Sequence, residues 1–438
     1  MKEYLVYLVQ SHVGFRLAEL ESVAELALRG VVDLSGYSDE SPYLVVRMEE
    51  SDDEVAAWIG RCVLARGVYE LWGQGADYEA LHRDVQERGR FLEYRERYMR
   101  DSFKFEFECY RGNSKANRVK QIESFGYLGF EGKIDMKRPQ QVYTVLEEYV
   151  PVSENESSTV PVMLRFGRLI GRSDRSAMEK YDLKKRPYKG TTSFEAELSL
   201  VSCNIAKVAP GTIMYDPFAG TGSFLVAGGH YGALVMGSDI DGRMIRGNGA
   251  AQNISSNFKK YGESGKFLDV MTMDFTHNAL RSSLQIDTIV CDPPYGIRES
   301  IKVLGARDPE RFVGKENVEI DGKKAYLHRD YIPSKKPYAL DSLLDDILQF
   351  ASERLPINGR LAFWMPTAND ENIETIIPLH ENLELKYNCV QEFNKWSRRL
   401  LVYINRGDDF HGPTNGGTKR SQSNFRERYF KNFCPIQS

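Results

Sequence analysis

The sequence predicts an α/β chain, in which a doubly wound, Rossmann-like parallel sheet closed by a C-terminal antiparallel hairpin strand follows α+β N-terminal modules. Three observations carry this prediction. From Thr191 onward, apolar runs of strand length alternate with segments of helical period. Ahead of them, the elements up to Trp72 read β-α-β-β-α-β, the order of a ferredoxin-like unit. Finally, Asp292-Pro293-Pro294-Tyr295-Gly296 follows the apolar, β-branched run 286–291. Two prolines cannot continue a central strand, so the chain turns out at the carboxyl end of the sheet, the edge where open α/β sheets bind ligands.

A length of 438 residues suffices for several cores. The expected partition is a ferredoxin-like module at 1–75, a second α+β module at 76–170, a basic linker at 171–190, the sheet domain at 191–410 and a tail at 411–438. No apolar run reaches membrane-span length, and the N-terminus has neither a signal nor a transit pattern. The net charge of −4 means that nucleic-acid contacts must come from local basic patches. The six cysteines lack metal-ligand spacing. Reduced thiols and no bound metal are the expectation.

In chain order, 4–9 is an apolar strand, and helical spacing from Phe15 to Ala27 stops before Gly30. Short strands follow near 31–34 and at 43–48. Ser51 and Glu54 form a capping box for a helix through Leu64, and 68–72 is a strand. The charged stretch 78–100 reads as helical, and 103–108 alternates strictly, as a half-buried strand does. Arg111, Lys115, Arg118 and Lys120 come next, suited either to phosphates or to a solvated helix face. Strands at 141–148 and 162–169 flank a polar, acidic loop at 153–159. The linker carries seven Lys or Arg against three acids; Lys184, Lys185 and Arg186 are placed to lie along RNA, or serve simply as a soluble connection.

In the sheet domain, strands are expected at 212–215, 233–238, 266–272, 286–291 and 360–365, with helices at 224–230, 243–258 and 342–355. Segments 383–393 and 400–405, separated by a short polar turn, should pair antiparallel. The insertion 297–337 is charged and aperiodic, and loops that long beside a site are usually functional or disordered.

The chemistry lies at strand ends. After the first strand come Asp216, Pro217, Phe218, Ala219, Gly220, Thr221, Gly222 and Ser223. Gly220 and Gly222 permit close backbone approach at a helix N-terminus. A dinucleotide fingerprint wants a third glycine where Leu225 stands, and Asp216 with the Pro217-Phe218 pair places a carboxylate where pyrophosphate binders avoid one. A carboxylate suits a zwitterionic amino acid bearing a sulfonium, which points to S-adenosylmethionine. Asp239 is placed to accept two ribose hydroxyls, and Asp274 with Phe275 to hold adenine through a carboxylate-to-amine bond and a ring contact. Any one of these acids could be a helix cap. Four on successive strand ends make a site. In the last, Asp292 and the Pro293 carbonyl can accept from an exocyclic amine while Tyr295 stacks on the base. The alternative is a proline-stiffened turn.

Together, 216–224 and 292–296 resemble the amino-methylating branch of the class I methyltransferases. Arg186-Pro187-Tyr188 behind an α+β module resembles the members bearing the RNA-binding THUMP domain. The whole chain, including 176–182 and 337–341, is similar to the family of eukaryotic, and especially fungal, tRNA (guanine-10-N2)-methyltransferase catalytic subunits. The resemblance implies methylation of the exocyclic amine of guanosine 10 of tRNA, in a cytoplasmic heterodimer with a small zinc-binding activator protein. That partner is expected to dock on the catalytic domain, by strand addition at the edge near 266–272. The competing readings are an adenine-N6 methyltransferase acting on DNA or RNA, which shares the Asp-Pro-Pro-Tyr logic, and a non-catalytic RNA-binding scaffold.

Overall fold

The computed structural model describes residues 1–150, 159–297, 300–306, 308, 310, 318–328, 331–369, 372–394 and 396–415. Most of the acidic loop at 153–159 and the tail beyond Asn415 lie outside the described residues. The chain divides into two compact units, Met1–Asp174 and Arg175–Ser438. No described helix is long and apolar enough to cross a membrane.

The first unit contains β1 (Lys2–Leu8), α1 (Val13–Ala27), β2 (Tyr43–Met48), α2 (Asp52–Arg61), β3 (Ala65–Gly75), α3 (Tyr78–Arg88), α4 (Arg90–Tyr98), β4 (Phe103–Tyr110), α5 (Arg118–Glu123), β5 (Gln141–Glu148) and β6 (Met163–Arg172). The Ser51–Glu54 capping box forms as the spacing requires. No strand forms near Val31 to Leu34, because exposed Val31 has no apolar cover and the segment stays irregular. A single six-stranded sheet, ordered β2-β1-β3-β6-β5-β4, runs through the unit, and β3 with β6 forms its central antiparallel pair. Across that pair Arg168 donates to Glu70 at 3.1 Å, and it also donates to Asp52 at the start of α2 at 2.5 Å. Such a buried pair is costly to break on one side only.

The second unit contains α6 (Ser176–Lys180), α7 (Ala196–Ile205), β7 (Ile213–Asp216), α8 (Ser223–His230), β8 (Leu234–Asp239), α9 (Gly242–Arg246), α10 (Ile254–Tyr261), β9 (Phe267–Thr272), β10 (Thr288–Cys291), β11 (Lys302–Leu304), β12 (Glu319–Ile320), β13 (Lys323–Lys324), β14 (Lys335–Pro337), α11 (Leu340–Arg354), β15 (Arg360–Ala368), α12 (Ile373–Ile376), β16 (Leu383–Glu392) and β17 (Trp396–Asn405). Its seven-stranded sheet is ordered β16-β17-β15-β10-β7-β8-β9. The five strands from β15 to β9 are parallel, and β17 and β16 close the sheet antiparallel. Strand order reverses between β7 and β10, so the carboxyl ends of these two strands frame the crevice where such sheets take ligands. Buried Leu343, Leu344, Ile347 and Leu348 of α11 pack one face of the sheet against Ile289, Leu361 and Phe363.

The helix expected at 243–258 is two helices. At Gly247 φ is +62°, and a Cβ there would stand 2.2 Å from the Gln252 carbonyl oxygen, so the backbone folds into a turn that only glycine fits. The stretch expected as a linker folds into the second unit from Arg175 onward, with Tyr181, Arg186 and Tyr188 buried there.

Candidate active site

Three strand ends bring carboxylates together. β7 ends in Asp216, β8 ends in Asp239, and β10 hands over to Asp292. Asp216 is 1% exposed and accepts the Phe218 N–H at 3.0 Å. Burial pushes its carboxyl well above the usual range, and the charges of Asp239 and Asp292 push in the same direction. Both acids therefore act on one buried group at a shared mouth.

The turn after β7 is tied to β8. The Gly220 N–H donates to Asp239 Oδ2 at 3.0 Å, and the Asp241 N–H to Oδ1 at 2.8 Å, which fixes the carboxylate across the glycine turn. Gly222 has φ +82°, and a Cβ there would come within 2.9 Å of Ile254 Cγ2. α8 starts at the next residue, so its unsatisfied N–H groups open onto this turn. Thr221 and Ser193 share a hydroxyl hydrogen bond of 2.6 Å that joins the turn to the segment before α7.

Asp274 is 3% exposed and follows β9 as an N-cap. Its Oδ1 accepts from the Thr276 N–H and hydroxyl, both at 3.0 Å. Its Oδ2 accepts the Leu304 N–H at 2.6 Å and lies 3.1 Å from His277 Nδ1. A carboxylate offers about four acceptor positions, so a bond from an adenine amine would have to displace one of these partners. The ring of Phe275 packs tilted against Phe218, with centroids 5.3 Å apart. Leu304 belongs to the insertion after Tyr295, whose β11–β14 pair also sends Lys335 to the Ile240 carbonyl at 3.0 Å. The insertion thus closes over the ends of β8 and β9, which its lack of period did not indicate.

At β10 the turn is compact. Pro293 is buried and Asp292 half-buried. Tyr295 donates its phenolic proton to Asp292 rather than presenting a free hydroxyl. Burial and the Asp292 charge both raise the phenol well above its ordinary range, so the proton stays on oxygen.

The expected RNA-binding residues divide. In the first unit Arg111, Lys115 and Lys120 are exposed. Arg118 is held internally, donating to Glu147 at 2.7 Å and 3.0 Å and lying 4.2 Å over the Phe107 ring. In the second unit Lys184 and Lys185 are exposed. Arg186 corrects the expectation of RNA contact, because it is 4% exposed and donates to Ser223 Oγ at 2.9 Å and to the Tyr181 carbonyl at 3.4 Å. Charge composition cannot distinguish a solvated arginine from one buried under a helix N-terminus. No cluster of metal-ligating side chains occurs among the described residues.

Two families match the chain. The one described as Tmrp11 THUMP N-terminal domain matches residues 2–175, and the one described as RMKL-like, methyltransferase domain matches 184–304. A tRNA (guanine(10)-N(2))-methyltransferase of Saccharomyces cerevisiae is 70% identical, over 99% of this chain and 100% of the relative. The protein of the same name in Schizosaccharomyces pombe is 34% identical over 98% and 96%. Among solved structures, TrmN from Thermus thermophilus aligns with a TM-score of 0.43 at 15% identity, over 92% of this chain and 99% of that one.

Proposed function

The chain belongs to the tRNA (guanine(10)-N(2))-methyltransferase family, and from that premise we propose that it methylates the exocyclic N2 of guanosine 10 of tRNA, using S-adenosylmethionine. The observation that carries the reading is the Asp292-Pro293-Pro294-Tyr295 turn at the end of β10, beside the carboxylates that end β7 and β8.

The residues present fit that cofactor. Gly220 (φ +50°) and Gly222 (φ +82°) supply the left-handed backbone of the turn that opens α8, and Gly222 has no room for a side chain. Asp239, oriented by two backbone N–H groups, would hold the ribose hydroxyls. Buried Asp216 would face the amino-acid end, and the contiguous rings of Phe218 and Phe275 would offer one apolar wall to the adenine. Asp274 orders the 274–277 turn beneath that ring. S-adenosylmethionine supplies an electrophilic methyl group on sulfur.

The protein's task is alignment, which accounts for much of the acceleration of an in-line displacement. Asp292 and the Pro293 carbonyl accept the two N2 protons and so turn the nitrogen lone pair outward. No strong base is needed, because the amine becomes acidic as its new bond forms. Tyr295, anchored through its hydroxyl on Asp292, offers its ring to the guanine and fixes the carboxylate plane. Guanine in a pair has its N2 edge covered, so the base is extruded at a cost of about a few kcal/mol.

Exposed Arg111, Lys115 and Lys120 in the first unit, and Lys184 and Lys185 in the second, meet the RNA backbone. The chain works in the cytoplasm as a heterodimer with a small zinc-binding activator. β9 supports this docking mode: it is an edge strand of the seven-stranded sheet, with Leu268 48% exposed, and an unpaired edge accepts an added strand.

The test is nucleoside mass analysis of unmodified tRNA treated with methyl donor and the protein purified in complex with its activator partner. N2-methylguanosine at position 10 is expected from the wild type, and its formation should be far slower with Asp292→Ala. Methyl recovered on adenosine N6 would establish the adenine reading instead, and no methyl on any base would leave an RNA-binding scaffold.

A further inference from the structure

Beside the Asp292 turn stands an arginine that the assignments above leave unused. Cys291 of β10 is in register with Phe363 of β15, and Pro366 of β15 with Arg398 of β17. Continuing the first register by one residue sets Asp292 level with Trp364. Arg398 then projects at the same sheet edge, two residues further out and on the Trp364 face. Its guanidinium lies 4.3 Å over the Phe194 ring and 4.9 Å from the Trp364 centroid. Nε donates to Gln391 at 2.6 Å and Nη2 to Glu195 at 2.9 Å, while Nη1 makes no hydrogen bond among the described residues. The positive charge is close enough to favour ionisation of Tyr295, against the larger effects of burial and Asp292.

A half-exposed ion pair with Glu195 adds at most about 1 kcal/mol, so stability alone is a thin reason for this placement. A guanidinium fixed by two rings and two acceptors is instead a preorganised donor aimed with one edge left over.

We propose that Arg398 is a specificity-determining residue that donates from Nη1 to O6 of the target guanine while Asp292 and the Pro293 carbonyl hold N2. The inference rests on the guanine-N2 reading above. O6 and N2 lie on the same edge of the base, on either side of N1. Adenine carries an amine where guanine carries O6, so it would set donor against donor at Arg398. Guanine is thus selected by an attraction that adenine turns into a repulsion.

2-Aminopurine isolates this contact, because it keeps the amine at position 2 and has only hydrogen at position 6. Single-turnover methylation is measured with the full-length protein, together with any partner that purifies with it. The two tRNAs carry guanosine or 2-aminopurine riboside at the target position. The wild type should favour guanosine by roughly 100-fold or more, because an unpaired donor rejects the analogue. Arg398→Ala should slow guanosine by about 10- to 100-fold, the loss of a charge-assisted bond, and leave 2-aminopurine nearly unchanged. Arg398→Lys, which retains a donor and guards against misfolding of the alanine variant, should recover part of the guanosine rate only. Equal slowing of both substrates by both variants, or a wild type indifferent to position 6, overturns the proposal while the guanine-N2 reading survives. A wild type that methylates neither base removes that reading and this inference with it.

Discussion

Tyr295 donates its phenolic proton to the Asp292 carboxylate three residues earlier in the same turn. The bond makes the two residues one unit, since the ring cannot swing away from the strand end without uncapping the acid. It also sets different expectations for the two side chains. Asp292→Ala removes an acceptor for N2 and should lower the single-turnover rate by about two to three orders of magnitude. Cofactor affinity, read by calorimetry, should stay within a few-fold. A near-normal rate would remove Asp292 from the site.

Tyr295→Phe keeps the ring and deletes only the hydroxyl. Its rate should fall by less than about 10-fold, whereas Tyr295→Ala should lose about 100-fold, because base–ring stacking is worth about 1–3 kcal/mol. Equal losses in the two variants would assign the tyrosine to orienting Asp292 alone.

Asp216 gives a pH-dependent stability. Its carboxyl is raised in the folded chain, chiefly by burial, so the native state holds the proton more tightly than the unfolded state does. The associated stability is complete below the unfolded value of about 3.9 and is lost as pH rises toward the folded value. Asp216→Asn cannot ionise, so in the ligand-free protein its Tm should gain on the wild type as pH is raised from about 5 to about 8. A gain that shrinks over that range would contradict the burial argument.

Gly222 combines φ +82° with the Ile254 side chain 2.9 Å from where a Cβ would be. Gly222→Ala should cost about 2 kcal/mol or more in chemical denaturation, from left-handed strain and overpacking. In an Ile254→Ala background, where Cγ2 is absent, the same glycine substitution should cost less. An alanine variant as stable as the wild type would mean that the turn is looser than its geometry.

The basic stretch should behave as two populations. Lys184→Ala/Lys185→Ala removes exposed charge, and should weaken tRNA binding and flatten its salt dependence with the Tm unchanged. Arg186→Ala removes a buried guanidinium bonded to Ser223, and should lower the Tm and cofactor affinity more than RNA affinity. Fluorescence anisotropy over a salt series separates the two. Identical salt slopes for wild type and the double-lysine variant would take these lysines out of the RNA contact.

Periodicity and turn chemistry were enough for the parallel strands, the closing hairpin and the acids at 216, 239, 274 and 292, because each is a local pattern. Glycine signals are less legible. The helical pattern at 243–258 masked the break at Gly247, whose need for positive φ comes from a crowded turn. The strand expected near Val31 failed because a β-rich tetrapeptide forms no ladder without a neighbour to pair with.

By itself, the sequence determined which residue types stand at which strand ends, since a strand's length and exit are written in a few adjacent side chains. Tertiary structure alone decided how they are used. It buried Arg186 beneath α8, occupied Asp274 with the Leu304 amide, turned Tyr295 onto Asp292, and brought Arg398 to the edge where Asp292 emerges. Each of these depends on partners far apart in the chain or on a side chain folding back on its own turn. Only packing, by excluding water from one side of a group and supplying a partner on the other, settles such choices.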